Sequence, residues 1–161
     1  MIDVKKAITT LARNEVDFVI IGGVALSIHS AAYVTYDIDV CFSRNRNNLR
    51  KIADALAPFH PRLRGFPKNL PFVWDFSTLL NGTLFTLETE LGDFDLLGEV
   101  SGLGTYEDVL AQSSPWDLYG YKVNILSING LIQAKESAGR EKDVPGLKIL
   151  RALLDAEIDE D

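Results

Sequence analysis

Residues that could form disulfides or thiolate metal sites are scarce in this sequence, which has one cysteine and two histidines among 161 residues. Cys41 has no second cysteine to pair with, so an intramolecular disulfide is excluded and Cys41 is expected to be a small buried apolar residue. Neither His29 nor His60 has a further ligand at suitable spacing, so we do not expect a zinc site. Residues 1–6 lack the apolar core of a signal peptide, which predicts a reducing, cytoplasmic setting.

Long hydrophobic runs are also missing. The strongest apolar run, residues 18–26, is interrupted by Gly22 and Gly23. It is far shorter than the roughly 20 apolar residues that a membrane-spanning helix needs. We therefore expect no segment that crosses a membrane.

Basic residues are in deficit, because 16 Lys and Arg stand against 23 Asp and Glu and give a net charge of -7. Such a chain lacks the broad basic surface with which proteins hold the backbone of nucleic acids, so any contact with RNA or DNA must be local. The best candidate is the proline-rich loop 58–71, with Arg62, Arg64 and Lys68. This loop either contacts phosphate or RNA, or is simply solvated.

Apolar periodicity predicts an alternation of helices and strands within one domain, residues 1–161. Hydrophobic residues make up 47% of the chain and charged residues 24%, the balance of a globular protein with a core. The acidic residues that crowd the end of the chain predict a solvated, fraying tail. The predicted order is a helix ending at Asn14, strand 18–21, helix 24–29, strand 36–42, helix 48–56, a hairpin of 83–89 with 94–97, helix 106–111, strand 121–126 and helices from Ser127 onward.

Gly22 and Gly23 stand where a buried strand ends and a helix begins. Paired glycines are most often turns. At this place, however, backbone N–H groups of a helix start are free to face an anion, and no Cβ blocks the approach of a phosphate. The glycine turn is therefore a candidate site for the phosphates of a nucleotide.

Asp37 and Asp39 lie two positions apart on a strand, so both side chains point to the same face of the sheet. Thirteen residues separate Gly23 from Asp37, enough for one helix and a return to a neighbouring strand beside the glycine turn. Two carboxylates at this spacing repel each other, and a divalent cation is their natural partner. A solvated edge strand is the alternative interpretation.

A further carboxylate is available on the strand around Phe94, where Asp93 and Asp95 share a face. Asp95 lies between the apolar residues Phe94 and Leu96, whereas Asp93 adjoins the turn at Gly92. An ionised group inside a strand needs a partner, so we favour Asp95 over Asp93 as the third carboxylate of a metal site.

Together these residues resemble the DNA polymerase β-like nucleotidyltransferases. The resemblance consists of Gly22-Gly23, the segment Thr35-Tyr36-Asp37-Ile38-Asp39 and the carboxylate-bearing strand with Asp95. It extends to Leu131-Ile132 with Lys135, Gly139-Arg140 and Lys142-Asp143, and so covers most of the chain. Within this family the chain resembles the small proteins grouped with minimal nucleotidyltransferases and with the enzyme partners of toxin–antitoxin pairs.

The resemblance implies an α/β (α+β) nucleotidyltransferase fold, a mixed β-sheet flanked by helices. An NTP would lie at Gly22 and Gly23, and two Mg²⁺ (or Mn²⁺) ions would lie between its phosphates and Asp37, Asp39 and Asp95. Asp95 would help activate the attacking hydroxyl, and the product would be a nucleotidylated RNA, protein or small molecule plus pyrophosphate.

Two further nucleotide contacts are predicted, and each has a structural alternative. Ser27 either contacts phosphate near the helix start or bonds its own backbone. Lys135 either faces the nucleotide, as the resemblance suggests, or complements a helix dipole together with Arg140 and Lys142.

The chain departs from the family pattern at two positions that we align with a glycine after the first helix and with an arginine two positions before the threonine. Ser30 and Tyr33 occupy these positions. They support a second hypothesis, in which the chain is a catalytically weak member that binds nucleotide or a partner protein, for example in a toxin–antitoxin system.

Overall fold

The apolar residues of two neighbouring strands form the centre of a seven-stranded mixed sheet in the computed structural model, which describes residues 1–30 and 35–160. The strands are β1 (Phe18–Ile21), β2 (Asp37–Phe42), β3 (Arg62–Leu63), β4 (Leu84–Thr89), β5 (Gly92–Leu97), β6 (Glu99–Val100), β7 (Gly104–Thr105), β8 (Ser113–Leu118) and β9 (Tyr121–Leu126). The helices are α1 (Val4–Arg13), α2 (Gly22–His29), α3 (Arg46–Leu56), α4 (Phe76–Leu80), α5 (Tyr106–Ala111), α6 (Ile128–Ala138) and α7 (Val144–Glu160), with 3₁₀ turns at Ala57–Phe59 and Glu141–Asp143.

The strand order in the sheet is β3-β4-β5-β2-β1-β9-β8, and β6 pairs separately with β7. β2 runs parallel to β5 and antiparallel to β1, while β1 runs parallel to β9. The fold is therefore mixed α/β with helices flanking the sheet, as the resemblance implies. None of the helices in the described part of the chain combines the length and the apolar character needed to span a lipid bilayer.

The core lies between the sheet and its helices. β1 is buried along its whole length. The helices α1 and α3 bury the apolar residues that their helical spacing predicts to face the core, among them Ile8, Leu11, Leu49 and Ile52. Cys41 is also fully buried, which confirms its prediction as a small apolar residue.

Local chemistry determines where α6 begins and where it ends, and the end of α6 directs the last part of the chain. Ser127 caps the helix by accepting a hydrogen bond from the N–H of Gly130 at 3.0 Å. Gly139 ends it in the left-handed conformation, with φ of 62°, which glycine adopts at little cost. The chain then passes through the turn Glu141–Asp143 into α7, which packs against α6.

Most predicted elements agree with the structure to within two residues, and the differences have local reasons. The loop 58–71 contains the short strand β3, which pairs antiparallel with β4. β8 was not predicted, because this edge strand contains Pro115 and has no apolar alternation. The acidic end, predicted to fray, continues α7 with exposed side chains through Ile158.

Candidate functional site

Strand register brings three of the predicted carboxylates together. Asp39 of β2 lies opposite Ile21 of β1 on one side and opposite Asp95 of β5 on the other. Asp37, Asp39 and Asp95 each offer an oxygen within 4.8 Å of the other two. The three carboxylates thus meet where β1 ends and α2 begins, beside Gly22.

The backbone at Gly22 is shaped to leave room for Asp39. Gly22 has a φ of 65°, and a Cβ built on it would overlap Asp39 Oδ2. Only glycine meets both conditions without strain, since other residues rarely adopt this φ and would carry the Cβ. This position therefore connects the glycine turn to the carboxylate cluster.

The charge of Asp39 is not compensated by the folded chain. Burial, the neighbouring Asp37 and the neighbouring Asp95 together raise the pKa of the Asp39 carboxyl from 3.8 to about 8, against a smaller opposing effect of Lys142. Asp39 Oδ1 is buried and has no hydrogen-bond partner among the described residues. A buried carboxylate oxygen in this situation requires either a proton or a cation.

Thr35 and Asp37 form a short local motif at the start of β2. The Thr35 hydroxyl donates to the backbone oxygen and to Oδ1 of Asp37, both at 3.1 Å. The hydroxyl thereby restrains the carboxylate on the side of the sheet that carries Asp39.

Asp95 is held by Arg64, which directly follows β3. Arg64 Nη2 donates to Asp95 Oδ1 at 2.7 Å, and Arg64 Nε lies 3.4 Å from Asp93 Oδ2. The Asp95 side chain is 17% exposed and that of Asp93 is 49% exposed. The structure therefore places Asp95 within the cluster and Asp93 outside it, next to the turn.

A second charged group lies at the junction of α6 and α7. Lys135 Nζ is 3.1 Å from Asp143 Oδ1, and Arg140 Nε is 2.7 Å from Asp143 Oδ2. Burial favours the neutral acid, but the hydrogen bonds from Arg140 and Lys135 outweigh it and hold the pKa of Asp143 below its usual value. Asp143 is buried and ionised, and it fixes two cations in place.

A cavity of about 330 Å³ joins the two charged groups. Gly22, Asp39 and Asp95 contribute to its wall, and so do Lys135 and Arg140. Its remaining wall is largely apolar and includes Leu84, Leu97, Val100, Leu126, Leu131 and Ala134. The cavity therefore offers carboxylates, cations and apolar surface to one ligand.

The other predicted nucleotide contacts, Gly23 and Ser27, are not among the residues that line this cavity. Gly23 is the second residue of α2. The Ser27 hydroxyl donates to the Val24 carbonyl at 2.7 Å, the backbone bond that was the alternative to a phosphate contact. Ser30 follows α2, and Tyr33 lies outside the described residues.

The basic residues of the loop 58–71 do not act as one group. The Arg62 Nη2 group donates to the carbonyls of Pro67 at 3.2 Å and Leu70 at 3.1 Å, so Arg62 folds the loop onto itself. Arg64 faces the carboxylates instead, and Lys68 is exposed. The imidazole of His29 has a structural contact, since its Nε2 lies 3.0 Å from the Leu126 carbonyl oxygen.

Two residues of the site were not singled out by their local sequence. The resemblance includes Asp143 without giving it a role, and the sequence marks Arg64 only as part of a basic loop. An acidic residue three positions after an arginine, as Asp143 is after Arg140, is a usable signal for a local ion pair. No local pattern connects Arg64 with Asp95, because they are 31 positions apart.

Comparison with known proteins identifies the fold. No protein-family model matches the chain, and no curated protein sequence matches it significantly. Solved structures, by contrast, match the chain in fold. One is TM1012 of Thermotoga maritima, a candidate nucleotidyltransferase, with a TM-score of 0.58 and 15% identity over 97% of this chain and 96% of that one.

Two proteins whose structures were solved with antibiotic-derived ligands have comparable similarity. The lincosamide antibiotic adenylyltransferase LnuA, solved with lincomycin bound, has a TM-score of 0.60 and 14% identity over 91% of this chain and 93% of its own. ANT(2'')-Ia, solved in complex with adenylyl-2''-tobramycin, has a TM-score of 0.55 and 14% identity over 98% and 90%. The chain therefore has the nucleotidyltransferase fold, as the resemblance implies.

Proposed function

We propose that this protein is a metal-dependent nucleotidyltransferase that moves an NMP from an NTP to a hydroxyl group of an acceptor. The observation that carries the proposal is the convergence of Asp37, Asp39 and Asp95 beside Gly22, with the buried Asp39 Oδ1 lacking a partner among the described residues. The nucleotidyltransferase fold supports the same assignment independently.

The donor set fits a hard divalent cation. Three carboxylates offer only oxygen ligands, the type that Mg²⁺ and Mn²⁺ prefer, and no thiolate or imidazole is among them. A cation there would satisfy Asp39 Oδ1 and relieve the repulsion that raises the pKa of Asp39. When bound, Mg²⁺ supplies charge neutralisation on the triphosphate and increases the acidity of the acceptor hydroxyl.

The protein's own groups then have separate roles. Asp37 and Asp39 would hold metal, and Asp95 would also accept the proton of the acceptor hydroxyl. The hydroxyl oxygen forms a bond to the α-phosphorus, the bond from that phosphorus to the bridging oxygen of the β-phosphate breaks, and pyrophosphate leaves with the electron pair. Gly22 and Gly23 give the phosphates access to backbone N–H groups at the start of α2.

Lys135 and Arg140 are the cations best placed to address the triphosphate, since both line the cavity with the carboxylates. Their shared partner Asp143 keeps them in position before the nucleotide binds. A phosphate contact by Ser27 stays a prediction.

For the acceptor we favour a small hydroxyl-bearing molecule. The cavity wall is partly apolar, and a net charge of -7 is unsuited to holding a long polynucleotide. ANT(2'')-Ia and LnuA were solved with a tobramycin adduct and with lincomycin. RNA and protein acceptors, and a toxin–antitoxin partner, stay predictions.

The second candidate is a nucleotide-binding protein that does not transfer. Both cations of the cavity wall are already paired with Asp143, so a triphosphate must share them with this carboxylate. The two candidates differ in one measurable property, the release of pyrophosphate.

The test is incubation of the pure protein with each α-labelled NTP, Mg²⁺ or Mn²⁺, and separate pools of RNA, protein and hydroxyl-bearing small molecules. We expect label on a small molecule together with pyrophosphate. Asp39→Asn should abolish both signals, and Asp155→Asn, an exposed carboxylate on α7, should leave them unchanged. Nucleotide binding without any labelled product or pyrophosphate would favour the second candidate.

A further inference from the structure

Arg64 connects the edge of the sheet with the carboxylate cluster. Its backbone N–H donates to the Thr86 carbonyl of β4 at 2.8 Å, which fixes the start of the side chain. The guanidinium then reaches β5, where Nη2 bonds Asp95 Oδ1 at 2.7 Å and Nε lies 3.4 Å from Asp93 Oδ2. The Arg64 side chain therefore crosses β4, the strand that lies between Arg64 and the carboxylate cluster.

The guanidinium has a third acceptor that restrains its orientation. Arg64 Nη2 also donates to the Leu87 carbonyl of β4 at 2.9 Å. Both hydrogens of this nitrogen are thus used, one for the backbone and one for Asp95. The planar guanidinium can serve these acceptors together because its donors have a fixed geometry, whereas a lysine ammonium is a single point charge.

The combination of contacts, and not the burial of Arg64, favours a positioning role over a loose surface ion pair. The Arg64 side chain is 33% exposed and that of Asp95 is 17% exposed. Isolated exposed ion pairs contribute little, whereas here the partner Asp95 is partly buried and the same Arg64 nitrogen also donates to the Leu87 carbonyl. The bond occupies one oxygen of Asp95 and leaves the remaining lone pairs of the carboxylate for the cluster.

We propose that Arg64 is the positioning residue for Asp95: it fixes one carboxylate oxygen so that the other serves metal and the acceptor proton. This inference rests on the proposed function, because it assigns Asp95 the role given there. The opposing view is that Arg64 only screens the negative charge of Asp95. The two views predict opposite signs for the coupling between Arg64 and Asp95.

A double-mutant cycle with Mn²⁺ as the probe separates these views without any transfer reaction. Mn²⁺ affinity is measured by calorimetry for the wild type, Arg64→Met, Asp95→Asn and the double variant. If Arg64 positions Asp95, the Asp95→Asn change costs ~10-fold in affinity in the wild type and clearly less, ~3-fold or below, in the Arg64→Met background. If Arg64 only screens, Asp95 binds metal more strongly without it, so an equal or larger cost in that background overturns the inference.

Transfer rates provide the second readout. Arg64→Met should lower kcat by ~10-fold or more, within the range of positioned acid–base effects, and should add nothing to the loss caused by Asp95→Asn. Arg64→Lys keeps the charge and should restore only part of the rate, because it cannot reproduce the three contacts. Full rescue by lysine would overturn the positioning role.

Arg62→Met is the matched control, since it removes a guanidinium from the same loop that bonds carbonyls instead of carboxylates. It should leave both the Mn²⁺ affinity and kcat near the wild-type values, and thermal unfolding verifies that each variant is folded. Absence of transfer by the wild type with every NTP would count against the proposed function alone, because the Mn²⁺ cycle still decides the role of Arg64.

Discussion

At the scale of residues, Asp39 has a charge that the protein alone does not neutralise. Its pKa is raised to about 8 in the folded chain, from 3.8, by burial and by Asp37 and Asp95. Between these two values the folded state binds a proton that the unfolded state has lost. Stability without metal must therefore fall as the pH rises through this range and level off above it.

Replacing Asp39 by asparagine should remove this pH dependence. In EDTA, we expect Asp39→Asn to be more stable than the wild type, with a difference in Tm that grows from pH 5 to pH 8. Added Mg²⁺ at pH 8 should raise the Tm of the wild type and leave that of the variant nearly unchanged. A difference in Tm that is constant across this pH range would contradict the assigned shift in pKa.

Asp93 and Asp95 differ in their surroundings and provide a matched pair. Asp95→Asn removes a charge from the cluster and should lower transfer by two or more orders of magnitude, the scale of positioned acid–base and metal effects. Asp93→Asn, at a half-exposed position, should change transfer little. Rates measured with the identified acceptor decide the assignment, and a large loss confined to Asp93→Asn would reverse it.

At the scale of elements, the turn between β1 and α2 is the part of the fold on which the site depends most directly. Gly22 ends the strand in the left-handed region and leaves space for the Asp39 carboxylate. A side chain at this position has two costs: the unfavourable φ and the overlap with Asp39. The cost of the unfavourable φ can be measured by itself at a second glycine that has a positive φ but no crowded neighbour.

Gly120, in the hairpin between β8 and β9, is the suitable control. It has a φ of 86°, and among the described residues only its own chain neighbours lie within 4 Å of an added Cβ. Gly120→Ala should cost only the conformational strain, about 1–2 kcal/mol. Gly22→Ala should cost more and should also abolish the stabilisation by Mg²⁺. Equal losses of unfolding free energy in the two variants, measured with denaturant, would show that Asp39 does not need the space at Gly22.

At the scale of the whole molecule, the cavity brings together elements from both halves of the chain. The carboxylates come from β2 and β5, and the cations from α6 and the turn before α7. A ligand that contacts both groups should stabilise the entire fold, because it binds the folded chain and not the unfolded one.

An NTP with Mg²⁺ should therefore raise Tm more than the matching nucleoside with Mg²⁺ or the NTP with EDTA. At a concentration ~100 times the Kd the expected gain is about 2.7 kcal/mol. Thermal melts in these three conditions measure it. Equal shifts with nucleoside and NTP would mean that the site addresses the base and not the phosphates.

The sequence by itself determined the local parts of this protein. The period of two in β2 places Asp37 and Asp39 on one face, and Gly22 at the end of a buried strand marks the turn. The capping serine and the terminal glycine of α6 likewise follow from local chemistry. These features were predictable because backbone geometry within a few residues fixes them.

Tertiary structure decided which of these parts meet. The parallel register of β2 with β5 sets Asp39 opposite Asp95, and the pairing of β3 with β4 brings Arg64 within reach of Asp95. The burial that raises the pKa of Asp39 likewise exists only after the sheet has assembled. Strand pairing joins residues far apart in the chain, and its energy depends on side chains packing on both faces of the sheet, so no local pattern encodes it.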